Sequence, residues 1–198
     1  MNKDSLIKMG FATKAIHGGN TENTPGTLAT PIYQTSTFYF DSAEQGGRRF
    51  AGEEGGYIYS RLGNPTTKVL EDKIAMLEGG EAAAAMSSGM GAISSALWTL
   101  LKAGDHVVAS ATLYGCTFAL LNHGLTRYGV EVTFVDVTDP ENVRKAMKEN
   151  TKVVYLETPA NPTMLITDIE AISKIAHEKE DCKVIVDNTF CSPYLVRP

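Results

Sequence analysis

The chain has 198 residues, of which 43% are hydrophobic, and a formal net charge of −5. This composition is ordinary for a globular protein with one substantial core. The mild acidity and the lack of a basic cluster argue against nucleic acid or an anionic membrane as partner. No stretch is long enough to span a membrane, and the start lacks the apolar run of a signal peptide. Three cysteines without metal-ligand spacing predict no disulfide framework and no metal site, and they favour the cytoplasm.

The first 63 residues differ from the rest of the chain. They are rich in Gly, Thr, Pro and Asn and show only weak periodicity. Such a segment buries little of its own surface, so if it is ordered it must lie against another surface. Its aromatic residues are more numerous than a disordered tail would carry. We therefore predict that residues 1–63 form an extended arm at a subunit interface and that residues 64–198 form the main domain.

From residue 64 onward, strand and helix patterns alternate. The predicted strands are 82–86, 106–109, 130–135, 152–156 and 184–186. The apolar stripes that predict helices are Leu70-Ile74-Leu77, Ile93-Leu97-Leu100, Phe118-Leu121-Leu125 and Ile169-Ile172-Ala176. This alternation predicts an α/β fold with a mainly parallel sheet flanked by helices. Because the chain ends in loop-like sequence that leaves a sheet edge uncovered, we expect an incomplete domain.

Capping residues indicate where the helices begin and end. Gly79-Gly80 is expected to end the first of these helices, and Ala103-Gly104 the second. Asp139-Pro140 predicts a helix start with the acid as N-cap and proline at the first position. The segment 167–170, Thr-Asp-Ile-Glu, has the spacing of a capping box.

An acid follows the last predicted strand. The short apolar run 184–186 predicts a strand buried on both faces, and Asp187 comes directly after it. Ligands of open α/β sheets bind at this carboxyl end. A carboxylate there needs a cationic partner, and a protonated pyridine nitrogen that makes its ring an electron sink is a suitable one. The alternative, that Asp187 only caps the next turn, has equal weight on these residues alone.

A glycine-rich segment, Ser87-Ser88-Gly89-Met90-Gly91, connects a predicted strand to a helix. Backbone N–H groups at a helix N-terminus, free of side-chain bulk at glycine, form a site that suits phosphate. A dinucleotide motif is one alternative, but the next strand ends in Ala109-Ser110, without the acid that would bind a ribose. A tight glycine turn without a ligand is the other alternative.

Tyr59 and Arg61 form a second candidate phosphate site. Their spacing places both side chains on one side of an extended segment. Arginine with a tyrosine hydroxyl suits a phosphate dianion. The alternative is a solvated arginine on an extended arm.

Three further candidates follow predicted strands. Tyr114 comes after strand 106–109, where it can stack on a planar cofactor and transfer a proton if its pKa is lowered. Cys116 is a reactive thiol or a buried small hydrophobe, and the sequence favours the second. The prolines around Asn161 predict a rigid turn that directs its amide into the same crevice. The four histidines show no ligand spacing and are expected to be structural or surface residues.

In their order along the chain, these motifs resemble those of the transsulfuration (Cys/Met metabolism) enzymes, which use pyridoxal phosphate (PLP). The matching segments are Tyr59-Ser60-Arg61, Gly63-Asn64-Pro65-Thr66, Ser88-Gly89-Met90, Tyr114-Gly115, Glu157-Thr158-Pro159-Ala160-Asn161-Pro162 and Asp187-Asn188-Thr189. The resemblance covers essentially the whole chain. It implies an arm followed by most of a fold-type I PLP domain, and a homotetramer of intimate dimers with shared active sites.

The resemblance also implies roles for individual residues. The implied cofactor-binding residues are Tyr59, Arg61, Ser88, Gly89, Met90, Tyr114, Asn161, Asp187 and Thr189. The amides of Gly89 and Met90 would bind the phosphate, together with Tyr59 and Arg61 of a neighbouring subunit. Asp187 would pair with the pyridinium nitrogen, and Asn161 would reach the ring hydroxyl. The implied catalytic residues are Tyr114, which would stack on the ring and transfer a proton to the leaving thiol, and Cys116, which would shape the substrate pocket.

The implied activity is that of a carbon–sulfur lyase for a sulfur amino acid. Cys116 after Tyr114-Gly115 favours the members that cleave methionine by γ-elimination, with action on cystathionine or O-acetylhomoserine as the alternatives. The family's Schiff-base lysine, in a Ser-x-Thr-Lys context, and the residues that bind the substrate carboxylate do not occur in these 198 residues. We therefore expect a longer enzyme, of which this chain alone is inactive. A non-catalytic fragment that docks onto full-length subunits is the alternative.

Overall fold

A computed structural model of the chain describes residues 3–19 and 26–198. The chain forms two compact units, with the boundary between Ala85 and Met86. Of the predicted arm, residues 1, 2 and 20–25 lie outside the described residues. Within the described ranges, the helices are too short or too polar to cross a membrane.

Helices make up most of the regular secondary structure of the first unit. Its helices are α1 (Lys3–Ile7), α2 (Phe11–His17), α3 (Ala43–Phe50) and α4 (Pro65–Glu78). The predicted helix α4 is confirmed: the Asn64 side chain accepts the backbone N–H of Thr66 at 2.9 Å, and Gly79 ends the helix with φ +71°. Helices α1 to α3 were not predicted, because each is too short to show a clear apolar period.

The strand predicted over residues 82–86 is wrong, since this segment has no regular secondary structure. Alanine, which makes up most of it, favours strands only weakly. The backbone N–H of Ala85 donates to the carboxylate of Glu71 at 2.9 Å, so a side chain satisfies this donor in place of a neighbouring strand.

The second unit contains a parallel sheet between helices. Its elements are α5 (Gly89–Leu100), β1 (His106–Ser110), α6 (Gly115–Ala119), β2 (Glu131–Val135), α7 (Pro140–Ala146), β3 (Thr151–Glu157), α8 (Ile169–His177) and β4 (Lys183–Asp187). The strands follow the order β2-β1-β3-β4, and each neighbouring pair is parallel. The predicted α/β class with a mainly parallel sheet is confirmed.

The core of the second unit has one layer on each face of the sheet. Alternate residues of β1 and β3, such as Val107 and Val153, pack with Leu97 of α5 on one face. Their neighbours, such as Val154, pack with Ile172 of α8 on the other. Each such side chain contributes about 1.5–3 kcal/mol when it is removed from water. The sheet is therefore held from both sides, and the carboxyl ends of its strands meet at one edge.

Strand β4 departs from its prediction. Residues 184–186 were expected to be buried on both faces, but they are only partly buried. In the described chain β4 pairs with β3 alone, so it is an edge strand and lacks the second neighbour that buries β1 and β3.

Several helix ends also differ from prediction. Asp139 caps α7 as expected, but the N-cap of α8 is Asp168, whose carboxylate accepts the Ala171 N–H at 2.9 Å. Thr167 is buried, and its N–H donates to the Thr158 hydroxyl. Helix α5 ends at Leu100, before the predicted end at residues 103–104. The helix predicted after β1 is present, but α6 passes into a π turn (Leu120–Gly124) and then a 3-10 turn (Leu125–Tyr128).

Candidate active site

A cavity of about 370 Å³ lies in the second unit, beside the carboxyl ends of its strands. Seven of the nine predicted cofactor-binding residues line it, namely Ser88, Gly89, Met90, Tyr114, Asn161, Asp187 and Thr189. They come from the start of α5, from the loops that follow β1 and β3, and from the end of β4 with the residues just after it. Tyr59 and Arg61 belong to the first unit.

One wall of the cavity is the N-terminus of α5. Ser88 is the N-cap, and its hydroxyl accepts the Gly91 N–H at 3.0 Å. A Cβ atom at position 91 would lie only 3.2 Å from this hydroxyl oxygen, so glycine permits the tight cap. The N–H groups of Gly89 and Met90 have no acceptor among the described residues. Two free donors at the positive end of a helix dipole suit an anionic group such as phosphate.

Asp187 lies at the end of β4 and lines the same cavity. One carboxylate oxygen accepts the N–H of Thr189, at 3.1 Å, and also its hydroxyl. The other faces the Tyr155 hydroxyl at 3.4 Å. The two interpretations of Asp187 are therefore compatible, because the carboxylate caps a turn and still lines the cavity. Thr189 likewise orients this carboxylate from its place in the cavity wall.

Glu157 is a site residue whose role the sequence analysis missed. It ends β3, pairs in register with Asp187 of β4, and is only 5% exposed. Its carboxylate accepts the Tyr114 N–H at 2.7 Å and the Asn161 N–H at 2.8 Å. The sequence signal was present, since Glu157 is an acid at the end of an apolar strand, as Asp187 is.

Tyr155 was also missed, because an aromatic residue inside an apolar strand is typical of a core. Its side chain is fully buried, yet its hydroxyl reaches the carboxylate of Asp187. Burial raises the pKa of Tyr155, and the charges of Asp187 and Glu157 raise it further. The hydroxyl therefore stays protonated and serves as a donor to Asp187.

Tyr114 and Cys116 form a pair beside the cavity. Tyr114 is 43% exposed, and the Cys116 thiol donates to its hydroxyl oxygen at 3.4 Å. When Cys116 is ionised, its hydrogen bond with the phenol and its negative charge both disfavour a second charge there and so raise the pKa of Tyr114. The lowered pKa that proton transfer was predicted to need is therefore absent, and the phenol stays protonated. The favoured interpretation of Cys116 as a buried hydrophobe is wrong, because the residue is exposed at the start of the short helix α6.

Tyr59 and Arg61 lie close together in the first unit. The segment was predicted to be extended, which is wrong beyond Tyr59: its carbonyl accepts the N–H groups of Leu62 and Gly63, so the chain turns there. The predicted proximity of the two side chains is nevertheless present, since the Arg61 guanidinium is 5.6 Å from the centre of the Tyr59 ring. Their contribution to a neighbouring subunit stays a prediction.

The residues that line the cavity fit PLP. Free N–H donors at α5 suit its phosphate, and the carboxylate of Asp187 suits a protonated ring nitrogen. The Tyr114 ring and the Asn161 amide supply an aromatic face and a polar partner in the same wall. Among the described residues, no group of three or more His, Cys, Asp or Glu side chains is placed to hold a metal ion.

Comparison with known proteins decides the family. The family described as "Cys/Met metabolism PLP-dependent enzyme" matches residues 12–198. The chain belongs to this family. Similar members of the Cys/Met metabolism family include the L-methionine gamma-lyase of Porphyromonas gingivalis, 68% identical over 198 residues, and that of Fusobacterium nucleatum subsp. nucleatum, 72% identical over 193 residues. They align with 100% and 98% of this chain.

The chain spans about half the length of these curated relatives, 50% and 49% respectively. A solved structure is also similar to this Cys/Met metabolism chain. It is that of a putative O-acetylhomoserine (thiol)-lyase from Campylobacter jejuni, which contains N'-pyridoxyl-lysine-5'-monophosphate. It superimposes with a TM-score of 0.88 and 37% identity over 94% of this chain and 46% of its own. The predicted family and fold type are thereby confirmed.

Proposed function

We propose that the full-length protein is a PLP-dependent carbon–sulfur lyase that cleaves L-methionine by γ-elimination to methanethiol, 2-oxobutanoate and ammonia. The observation that carries this proposal is the convergence of the α5 N-terminus, Tyr114, Asn161 and Asp187 in one cavity. The substrate is supported by the relatives at 68% and 72% identity that are named L-methionine gamma-lyase.

The cavity residues would bind and orient the cofactor. When bound, PLP supplies an electron sink that stabilises negative charge on the substrate's carbon atoms. The N–H groups of Gly89 and Met90 would hold its phosphate, and the Asp187 carboxylate would keep its ring nitrogen protonated. Asn161 would hold the ring hydroxyl through its amide. Thr189 and Tyr155 keep Asp187 in place by donating to its two oxygens.

Tyr114 and Cys116 would act on the substrate side. The Tyr114 phenol carries a proton near neutral pH and would donate it to the departing thiolate, although its raised pKa makes it a weaker acid than an ordinary tyrosine. The neighbouring Cys116 thiol would contact the thioether of methionine and shape the pocket around it. Methionine is preferred because Cys116 after Tyr114-Gly115 resembles the family members that cleave methionine.

A second candidate substrate is O-acetylhomoserine. It is favoured by the similarity to the C. jejuni structure, at 37% identity, whose name gives a putative O-acetylhomoserine (thiol)-lyase. Cystathionine is a third, since the motifs of this chain are shared by the members of the family that act on it. The activities differ in their substrates: methionine and cystathionine each lose a sulfur-containing group, whereas O-acetylhomoserine receives sulfur from sulfide.

The test uses the purified full-length protein saturated with PLP. Methanethiol release from L-methionine is measured beside turnover of cystathionine and of O-acetylhomoserine with sulfide. We expect methionine to have the largest kcat/KM of the three. Brisk turnover of either other substrate without methanethiol from methionine would contradict the proposal.

We further infer a cytoplasmic homotetramer of intimate dimers with shared active sites. The location is supported by the three cysteines, all of which are free thiols. The assembly is supported by Tyr59 and Arg61, which lie together in the first unit, whereas the cavity lies in the second. Size-exclusion chromatography with light scattering of the full-length protein measures the assembly directly.

A further inference from the structure

Glu157 is a buried acid without a cationic partner. Its side chain is 5% exposed, and none of the ion pairs formed among the described residues includes it. Burying an unpaired carboxylate is costly unless hydrogen-bond donors surround it. Packing alone therefore does not explain an acid at this position.

Each oxygen of Glu157 accepts a backbone N–H from a different loop. One accepts from Tyr114, 43 residues earlier in the chain, at 2.7 Å. The other accepts from Asn161, in the loop that follows β3, at 2.8 Å. One planar carboxyl group thus holds two loops at a fixed separation, at the end of a strand that is buried on both faces.

Among the described residues, no other hydrogen bond joins these two loops to each other: the Thr158 N–H donates to the Asp187 carbonyl and the Ala111 N–H to the Val135 carbonyl, and the remaining bonds are local. In the second loop, the N–H of Ala160 donates to Leu165 at 3.0 Å and that of Met164 donates to Ala160 at 2.7 Å. In the first, Tyr114 accepts the Phe118 N–H within its own helix. Glu157 is thus the side chain through which the Tyr114 loop and the Asn161 loop are joined.

We propose that Glu157 is a positioning residue for the lyase reaction, acting through the backbone of Tyr114 and Asn161. This inference rests on the proposed function, in which Tyr114 and Asn161 contact substrate and cofactor. A carboxylate suits the task because both of its oxygens are acceptors. Glutamine has the same shape but only one oxygen, so its amide NH₂ group would face one of the two N–H donors.

The first experiment measures the tie itself, without cofactor. Hydrogen–deuterium exchange of the cofactor-free full-length protein is compared between wild type, Glu157→Gln and Glu170→Gln. Glu170 is an exposed acid paired with Lys174, so its variant makes the same chemical change where it has little effect. We expect exchange about tenfold faster or more in the Tyr114 or the Asn161 segment of Glu157→Gln only. Unchanged exchange in both segments overturns the proposal.

The second experiment separates positioning from charge. Glu157→Asp keeps the negative charge beside Asp187 but is one methylene shorter, so it reaches only one loop. We expect Glu157→Asp to show faster exchange and, with PLP bound, a kcat for methionine lowered about tenfold or more, with a smaller change in KM. The pH dependence of the cofactor's absorption band should also shift, because Asn161 moves. If Glu157→Asp has the exchange and the kcat of wild type, the proposal is overturned. Glu157→Asp also replaces Glu157→Gln in the first experiment if Glu157→Gln fails to fold.

The outcomes distinguish this inference from the proposed function. If wild type releases no methanethiol while the exchange changes as expected, the lyase assignment fails and the positioning of the two loops is upheld. If wild type cleaves methionine and both Glu157 variants match it in exchange, kcat and absorption, only the present inference fails.

Discussion

At the scale of single residues, Asp187 and Asp136 have the same local structure but line different cavities. Each carboxylate accepts both the N–H and the hydroxyl of the threonine two residues later, Thr189 and Thr138 respectively. Asp187 lines the cavity that begins at α5, whereas Asp136, after β2, lines a separate cavity of about 330 Å³. We therefore expect Asp187 and Asp136 to differ in cofactor binding because of the cavity that each one lines, and not because of their own turns.

This pair provides a matched test of the proposed cofactor contact. Asp187→Asn removes the charge that would keep a ring nitrogen protonated, and we expect the Kd for PLP of the full-length protein to rise about tenfold or more. Asp136→Asn loses the same charge from the same kind of turn, and we expect it to bind PLP as wild type does. Fluorescence titration of cofactor-free protein with PLP measures both. An equal loss in the two variants would mean that turn stability, and not contact with the cofactor, explains the effect.

The residue scale also shows what a sequence can and cannot reveal about a site. Asp187, Asn161 and the α5 glycines were predictable because they combine a special residue type with the end of an element. Glu157 carried the same signal as Asp187. Tyr155 carried none, because its hydroxyl contact depends on strand register between β3 and β4. The exposure of Cys116 was likewise unpredictable, since it depends on how α6 is placed.

At the scale of elements, two serine-capped helices allow the anion site to be tested. Ser88 caps α5 at the cavity, and Ser42 caps α3 in the first unit by accepting the Gln45 N–H at 3.2 Å. We expect either serine-to-alanine change to cost about 1 kcal/mol of stability. Only Ser88→Ala should also weaken PLP binding, because it disturbs the helix end that would hold the phosphate. Thermal unfolding and PLP titration check this, and PLP affinity reduced equally by Ser42→Ala would contradict it.

His106 joins three strands and makes their packing sensitive to pH. It is fully buried at the start of β1, with its ring nitrogens 2.8 Å from the hydroxyls of Thr151 in β3 and Thr133 in β2. Burial lowers the pKa of His106; the charge of Lys148 lowers it further, and that of Glu131 opposes this. The folded protein therefore holds His106 neutral at pH values where the unfolded chain, with a pKa of about 6.5, already binds a proton.

The sign of the effect follows from this difference. Above about pH 6.5, His106 is neutral in both the folded and the unfolded state, so it does not lower the free energy of unfolding. As the pH falls below that value, His106 binds a proton in the unfolded chain first, and this lowers the free energy of unfolding. We expect the thermal unfolding midpoint of the full-length protein to fall by a few degrees more in wild type than in His106→Gln between about pH 7.5 and about pH 5.5. Parallel falls in the two proteins would show that other groups set the pH dependence.

Helices and strands were predicted correctly where the apolar pattern and the caps were clear. They were predicted wrongly where contacts with other parts of the fold decide the local structure. Strands β1 and β3 and helix α4 combine clear apolar patterns with turn residues or caps. Residues 82–86 have an apolar run but find no strand partner among the described residues. At the start of α8, Thr167 and Asp168 are both good N-caps, and the hydrogen bond of the Thr167 N–H to Thr158 decides in favour of Asp168.

At the scale of the whole molecule, the residues proposed to bind the cofactor are divided between the two units of the chain. The cavity with Asp187 lies in the second unit, and the Tyr59–Arg61 pair lies in the first. The family resemblance assigns that pair to the phosphate site of a neighbouring subunit. In that arrangement each site takes Asp187 from one chain and Arg61 from the other. A dimer of one chain with a defect in Arg61 and one chain with a defect in Asp187 then has both defects in one site, and its second site is intact.

Co-expression of two variants of the full-length protein tests this arrangement, at a PLP concentration at which each variant expressed alone is inactive. With Arg61→Ala and Asp187→Asn in equal amounts, random pairing makes half of the dimers mixed, and we expect about a quarter of the wild-type methanethiol release. Arg61→Ala with Tyr59→Phe is the matched control: both changes lie on the arm, so both sites of a mixed dimer stay defective and no activity returns. Activity no greater than that of the parents in the first mixture would mean that each chain completes its own site, and the shared-site assembly would be wrong.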